Sequence, residues 1–222
     1  MSKASPARTR AEVSSRPTST AHWPVAIILI HWVMAAALAL MLLGGFAMTR
    51  AAHHAEATGD FSTTVLGLPL FEAFQLHKSV GVVLFLAVLL RLIARAALTT
   101  PNLPAHMPFV EKLAARAVQV GLYGLILSMP ITGWLLASSS TLGLPTVVFG
   151  LFELPHPVGP DAAWEALFAA LHWAGAWALV ALTGLHTAAA LKHHFIDRDD
   201  ILSEMLPLAK RPQKRSEHVE KT

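Results

Sequence analysis

Cysteine is absent from the 222 residues, which excludes disulfides, iron–sulfur clusters and thiolate metal sites together. Charge is scarce as well: Asp, Glu, Lys and Arg make up 14% of the chain, against about 25% in soluble globular domains. Hydrophobic residues make up 54%, so the composition points to a membrane protein. None of the apolar stretches alternates with the period of a barrel strand, which argues against a membrane β-barrel. No nucleic-acid partner is expected.

What the chain does have is four long apolar stretches, near 24–48, 76–98, 113–137 and 163–191. Each meets the roughly 20 residues that a helix needs to cross a bilayer. Ala, Leu and Val fill all faces of these stretches, so the expected fold is an all-α membrane protein, a four-helix up-down bundle. The polar segment 1–22 is long and His31-Trp32 interrupts the first apolar stretch, which favours a retained first span over a cleaved signal peptide. The expected organisation is an N-terminal tail 1–22, a helical domain 23–205 and a C-terminal tail 206–222. The connections 49–75 and 138–162 have room for short interfacial segments but no further readable pattern.

Of the 17 lysines and arginines, all but Arg50 and Lys78 fall in the two tails, the connection between the second and third stretches, or the helix ends beside them. By the positive-inside rule, both termini of this multi-pass membrane protein are expected in the cytoplasm.

Within the apolar stretches lie four histidines, His31, His77, His172 and His186. An imidazole in hydrocarbon is costly unless it is bonded, so each marks a functional site by default. His172 and His186 are fourteen residues apart on one stretch, about 21 Å along a helix and close to four full turns, so both rings leave one face. In an up-down bundle His77 shares a depth with His172, and His31 with His186. Two facing imidazoles at one depth suit the axial positions of a haem iron, and with both positions taken electron transfer is favoured over oxygen activation. Gly44, Gly45, Gly81, Gly175 and Gly184 are candidates for close ring approach, although plain helix packing is the better account of any one of them. His22, His106, His156 and His218 read as solvated, and the doublets His53-His54 and His193-His194 as surface residues rather than metal ligands.

Several segments together resemble the bacterial cytochrome b561 family of four-helix di-haem membrane proteins. They are Ile30-His31-Trp32, Leu76-His77-Lys78-Ser79-Val80-Gly81, Gly121-Leu122-Tyr123, Ser128-Met129-Pro130-Ile131-Thr132-Gly133-Trp134, Leu171-His172, Leu185-His186 and Ala190-Leu191-Lys192-His193-His194-Phe195-Ile196. The resemblance implies two b haems, with His31 and His186 on the cytoplasmic-side iron and His77 and His172 on the periplasmic-side iron. It also implies electron exchange with the quinone pool, ubiquinone being the expected partner. One activity within the family is superoxide oxidation, and Lys78 stands where an anion or another periplasmic electron donor would approach. An interfacial lysine extending its amine to water explains that position as well. Arg91 is a candidate contact for a haem propionate, with positive-inside anchoring an equal alternative. A cytochrome b subunit of a larger dehydrogenase or hydrogenase would use the same haems. A haem-free metal permease or membrane anchor is the rival from another class.

Overall fold

The computed structural model describes residues 23–101 and 107–207. Four long helices, α1 Val25–Thr58, α2 Leu70–Ala97, α3 Phe109–Ser139 and α4 Ala162–Lys192, account for most of it. All four are long and apolar enough to cross a membrane. The expected tails 1–22 and 206–222 fall almost wholly outside the described residues, as do His22, His106 and His218.

Prolines mark the helix starts. Pro24, Pro69 and Pro108 each sit immediately before α1, α2 and α3, where the fixed φ suits helix entry and a missing N–H breaks no helical bond. Asp161 caps α4, its carboxylate accepting from the N–H groups of Ala163 and Trp164 at 2.9 and 3.0 Å. Gly59 closes α1 in the left-handed conformation, with φ 74°.

All four helices are longer than their apolar stretches. α1 continues ten residues past 48, the expected end, and α2 begins at Leu70 rather than near 76. Hydropathy fades at Thr49-Arg50, but the Ala-rich run that follows is still good helix sequence. His53 and His54 therefore lie on the last turns of α1 rather than in a loop.

Each long connection at this end of the bundle holds a β-hairpin. β1 Thr64–Val65 pairs with β2 Leu68–Pro69, and β3 Thr146–Val148 pairs with β4 Phe152–Leu154. Leu66 and Gly67 turn the first hairpin with φ 52° and 81°, both positive as a type I′ turn requires. Beside it, the Asp60 carboxylate is held below its ordinary pKa by the Ser62 hydroxyl and the Ser62 N–H.

The second hairpin is clamped onto α2. Gln75 donates to the Pro145 carbonyl at 2.8 Å and accepts from Val147 N–H at 3.2 Å. The buried Ser79 hydroxyl donates to the Gln75 carbonyl and accepts from Phe149 N–H at 2.9 Å. Phe149 itself holds a positive φ of 47°, a strained setting for a bulky residue. His156, beyond this hairpin, is half-buried with its Nε2 shielded, not solvated as expected.

The opposite end is closed by a π-helical turn His193–Asp197 and the short helix α5 Ile201–Glu204. Lys192 bonds Glu111 of α3 at 3.0 Å and Asp197 at 2.8 Å, while His193 Nδ1 meets Asp199 at 2.8 Å. His193 thus belongs to an ion-pair knot rather than to the open surface. Trp32 Nε1 donates to the Met205 carbonyl at 2.6 Å, which folds this segment back onto α1 beside His31.

Between the two ends, α1 packs on α2, α2 on α3 and α3 on α4. Met34, Leu84 and Val88 form the buried centre of the α1–α2–α3 contact. No comparable seam joins α4 to α1 or α2 among the described residues. That leaves a cleft between α4 and the other two helices. Outward faces stay apolar, with Leu43, Ile93 and Val120 all more than half exposed, as lipid contact requires.

Candidate functional site

The four histidines bridge this cleft in two pairs. His31 of α1 faces His186 of α4 with ring centres 6.2 Å apart and planes at 73°. His77 of α2 faces His172 of α4 with centres 6.3 Å apart and planes at 72°. The first pair lies toward α5 and the second toward the hairpins, which are the depths expected from helix rise.

That spacing tests whether a metal fits. Direct ring stacking or an N–H to N bond would bring the rings closer together. A histidine nitrogen binds a transition metal at about 2.0 Å, and with about 1.1 Å from nitrogen to ring centre, two rings on one metal stand about 6.2 Å apart. Both pairs have the room for one ion between them.

The hairpin-side rings are seated on glycine. A Cβ on Gly133 of α3 would lie 3.1 Å from His172 Cε1, and one on Gly45 of α1 would lie 3.3 Å from His77 Cε1. Gly175 gives way to Met129 and Gly81 to Met41, which is helix packing, while Gly44 and Gly184 meet nothing within 4 Å. Gly133 belongs to a run quoted for family likeness, and nothing in its spacing distinguishes it as a ring seat.

Thr132, the residue before Gly133, holds one ring nitrogen of His172. Its hydroxyl donates to the Met129 carbonyl at 3.0 Å and lies 3.1 Å from His172 Nδ1. A polar partner at Nδ1 leaves Nε2 as the nitrogen available to a metal. Pro130 lies inside α3 one turn before Gly133, where it removes a helical hydrogen bond.

This pair opens into a cavity of about 970 Å³, lined among others by Gly45, His77, Gly81, Gly133, His172 and Trp173. The volume is ample for a large cofactor, and the mostly apolar lining is that of a cofactor site. Lys78 also lines it, its Nζ donating to the Pro145 carbonyl at 3.2 Å. Trp134, another lining residue, donates to the Pro155 carbonyl at 2.9 Å.

Arg91 of α2 is only 9% exposed. Its Nη1 donates to the Ile27 carbonyl at 2.7 Å and its Nε to the Tyr123 hydroxyl at 3.2 Å. Arg95 instead lies over the Trp23 ring, 5.4 Å from its centre.

The family model described as prokaryotic cytochrome b561 matches residues 22–208. Cytochrome b561 homolog 2 of Escherichia coli K12 is 42% identical over 137 residues, 61% of this chain and 71% of the relative. Cytochrome b561 homolog 1 of the same organism is 27% identical over 61% of this chain and 76% of its own length. A Yersinia pestis protein named probable superoxide oxidase CybB is 29% identical over 60% of this chain and 74% of its own.

Proposed function

The chain belongs to the prokaryotic cytochrome b561 family of membrane electron-transfer proteins with b-type haem, and from that premise we propose that it carries two haems. His31 and His186 hold one iron, and His77 and His172 hold the other. The observation that carries this reading is the matched spacing of the two imidazole pairs, each open by one metal's width.

When bound, each haem supplies a one-electron iron couple. The chain's own residues do the rest. With two imidazoles on each iron, His31 with His186 and His77 with His172 would keep dioxygen off the metal. Gly45 and Gly133 let the hairpin-side rings lie against backbone, and Thr132 holds His172 with Nε2 presented. The fourteen residues from His172 to His186 keep the two centres about 21 Å apart along α4, and apolar side chains exclude water from the region between them.

The positive-inside rule sets the hairpin end outward, in the periplasm, and both termini in the cytoplasm. In this reading electrons pass between a periplasmic donor and the quinone pool of the inner membrane, ubiquinone being the expected acceptor. Superoxide is the donor that the name of the Yersinia relative suggests. The balance is then simple. Two superoxide anions each lose one electron and leave as dioxygen, and one quinone takes both electrons with two protons to become quinol. Lys78, at the cavity wall beside His77, supplies a positive charge where that anion would arrive.

The test is reduction of the purified chain by a superoxide-generating system, followed in the haem spectrum, with ubiquinone analogue then added. Haem reduction followed by quinone-dependent reoxidation is expected. Haem reduced only when a co-purifying catalytic subunit is present would overturn superoxide oxidation in favour of a subunit role. A colourless protein would overturn the haem reading itself.

A further inference from the structure

Among the described residues, a buried cation stands at only one of the two imidazole levels. Arg91 lies fourteen residues after His77 on α2, the same interval that separates His172 from His186 on α4. Fourteen residues are close to four helical turns. α2 therefore presents a histidine at the hairpin-side level and an arginine, on the same face, at the level of His31 and His186.

The guanidinium is pinned there from two other helices. Nη1 bonds the Ile27 carbonyl, one turn before His31 on α1, and Nε bonds the Tyr123 hydroxyl of α3. The two bonds hold its charge at the depth of His31, and no other lysine or arginine among the described residues is buried. Lys78, the nearest cation at the hairpin-side level, keeps its charge but is only half-buried, held by the β3–β4 hairpin where water screens it more than the buried Arg91.

We propose that Arg91 is a positioning residue that makes the His31–His186 centre the stronger electron acceptor, so that the molecule favours electron flow from the hairpin end toward the α5 end. This rests on the two-haem reading above. A fixed positive charge stabilises the reduced state of a one-electron couple, because that state carries one positive charge fewer. Each transfer oxidises the iron between His77 and His172 by one electron and reduces the iron between His31 and His186 by one electron. A unit charge about 10 Å away, at an effective dielectric constant of about 20, biases such an equilibrium by about tenfold. For one electron a tenfold bias corresponds to about 59 mV.

Potentiometric titration of the purified full-length chain tests this, with the two haem components assigned through the four His→Ala variants. In Arg91→Gln the His31–His186 component should weaken as an acceptor by about tenfold, while the other component stays in place. Arg91→Lys, which keeps the charge, should stay within about threefold of wild type. Should Arg91→Gln fail to hold that haem, Tyr123→Glu sets a carboxylate against the same guanidinium and should lower the same midpoint. An unmoved midpoint in Arg91→Gln or, where that haem is lost, in Tyr123→Glu overturns the proposal. A fall in Arg91→Lys as large as in Arg91→Gln also overturns it. Both results would leave a two-haem protein intact, whereas a wild-type chain with one component or none would overturn the haem reading instead.

Discussion

Gly133→Ala isolates the seat of one ligand from the stability of the helix that carries it. The added methyl would lie 3.1 Å from His172 Cε1 and 3.4 Å from Nδ1. Ordinary carbon contacts begin at about 3.5 Å, so the ring must retreat by about 0.4 Å. It is not free to do so, because Thr132 holds Nδ1 at 3.1 Å from the adjacent position on α3. A metal site tolerates about 0.5 Å of misplacement at most, and disturbing the group that orients a ligand typically costs 10–100-fold in affinity. We expect the haem between His77 and His172 to bind about tenfold more weakly, with the other haem unaffected. The helix should not suffer, since Ala is better than Gly by up to about 1 kcal/mol in a helix interior. Gly124→Ala on the same helix is the control, because a Cβ there meets nothing within 4 Å. Haem retention through detergent washing, measured beside thermal unfolding, gives both quantities. Equal retention in the two variants, or loss of the His31–His186 component instead, would refute the reasoning.

Ser79→Ala should release the β3–β4 hairpin from α2, because Phe149 N–H then loses its buried acceptor and the strained φ at Phe149 loses its anchor. A loss of about 1–3 kcal/mol is expected, seen as a lower unfolding temperature and faster proteolysis within 143–154, and an unchanged digestion pattern would count against the clamp. Lys78→Gln should slow haem reduction by an anionic donor about tenfold at low ionic strength and flatten its salt dependence. Stopped-flow reduction by a neutral donor should not change, and equal slowing of both donors would rule out electrostatic guidance.

Depth is legible in a sequence of this kind; direction around the helix is not. A rise of about 1.5 Å per residue turns the fourteen-residue interval on α4 into two levels, and alternating helix direction then assigns His31 and His77 to them. Which small residues touch the rings depends on how neighbouring helices are rotated. Gly44 and Gly45 are adjacent and chemically identical, yet only Gly45 meets His77. Thr132 orients His172 across the α3–α4 contact, and no local pattern announces that pairing. The extension of α1 to Thr58 escapes hydropathy because it runs through polar but helix-favouring residues. The hairpins escape because strands of two and three residues carry too few side chains to show alternation. The Arg91 interval from His77 is visible in the sequence, but its meaning comes only with the bonds to Ile27 and Tyr123 that hold the guanidinium at that level.

Haem content per polypeptide, measured together with redox components in wild type and in the four single His→Ala variants, tests the pairing of imidazoles most directly. Two haems are expected in wild type, with His31→Ala and His186→Ala losing one and the same component, and His77→Ala and His172→Ala losing the other. Loss of a single shared component in His31→Ala and His77→Ala would contradict the two-level arrangement.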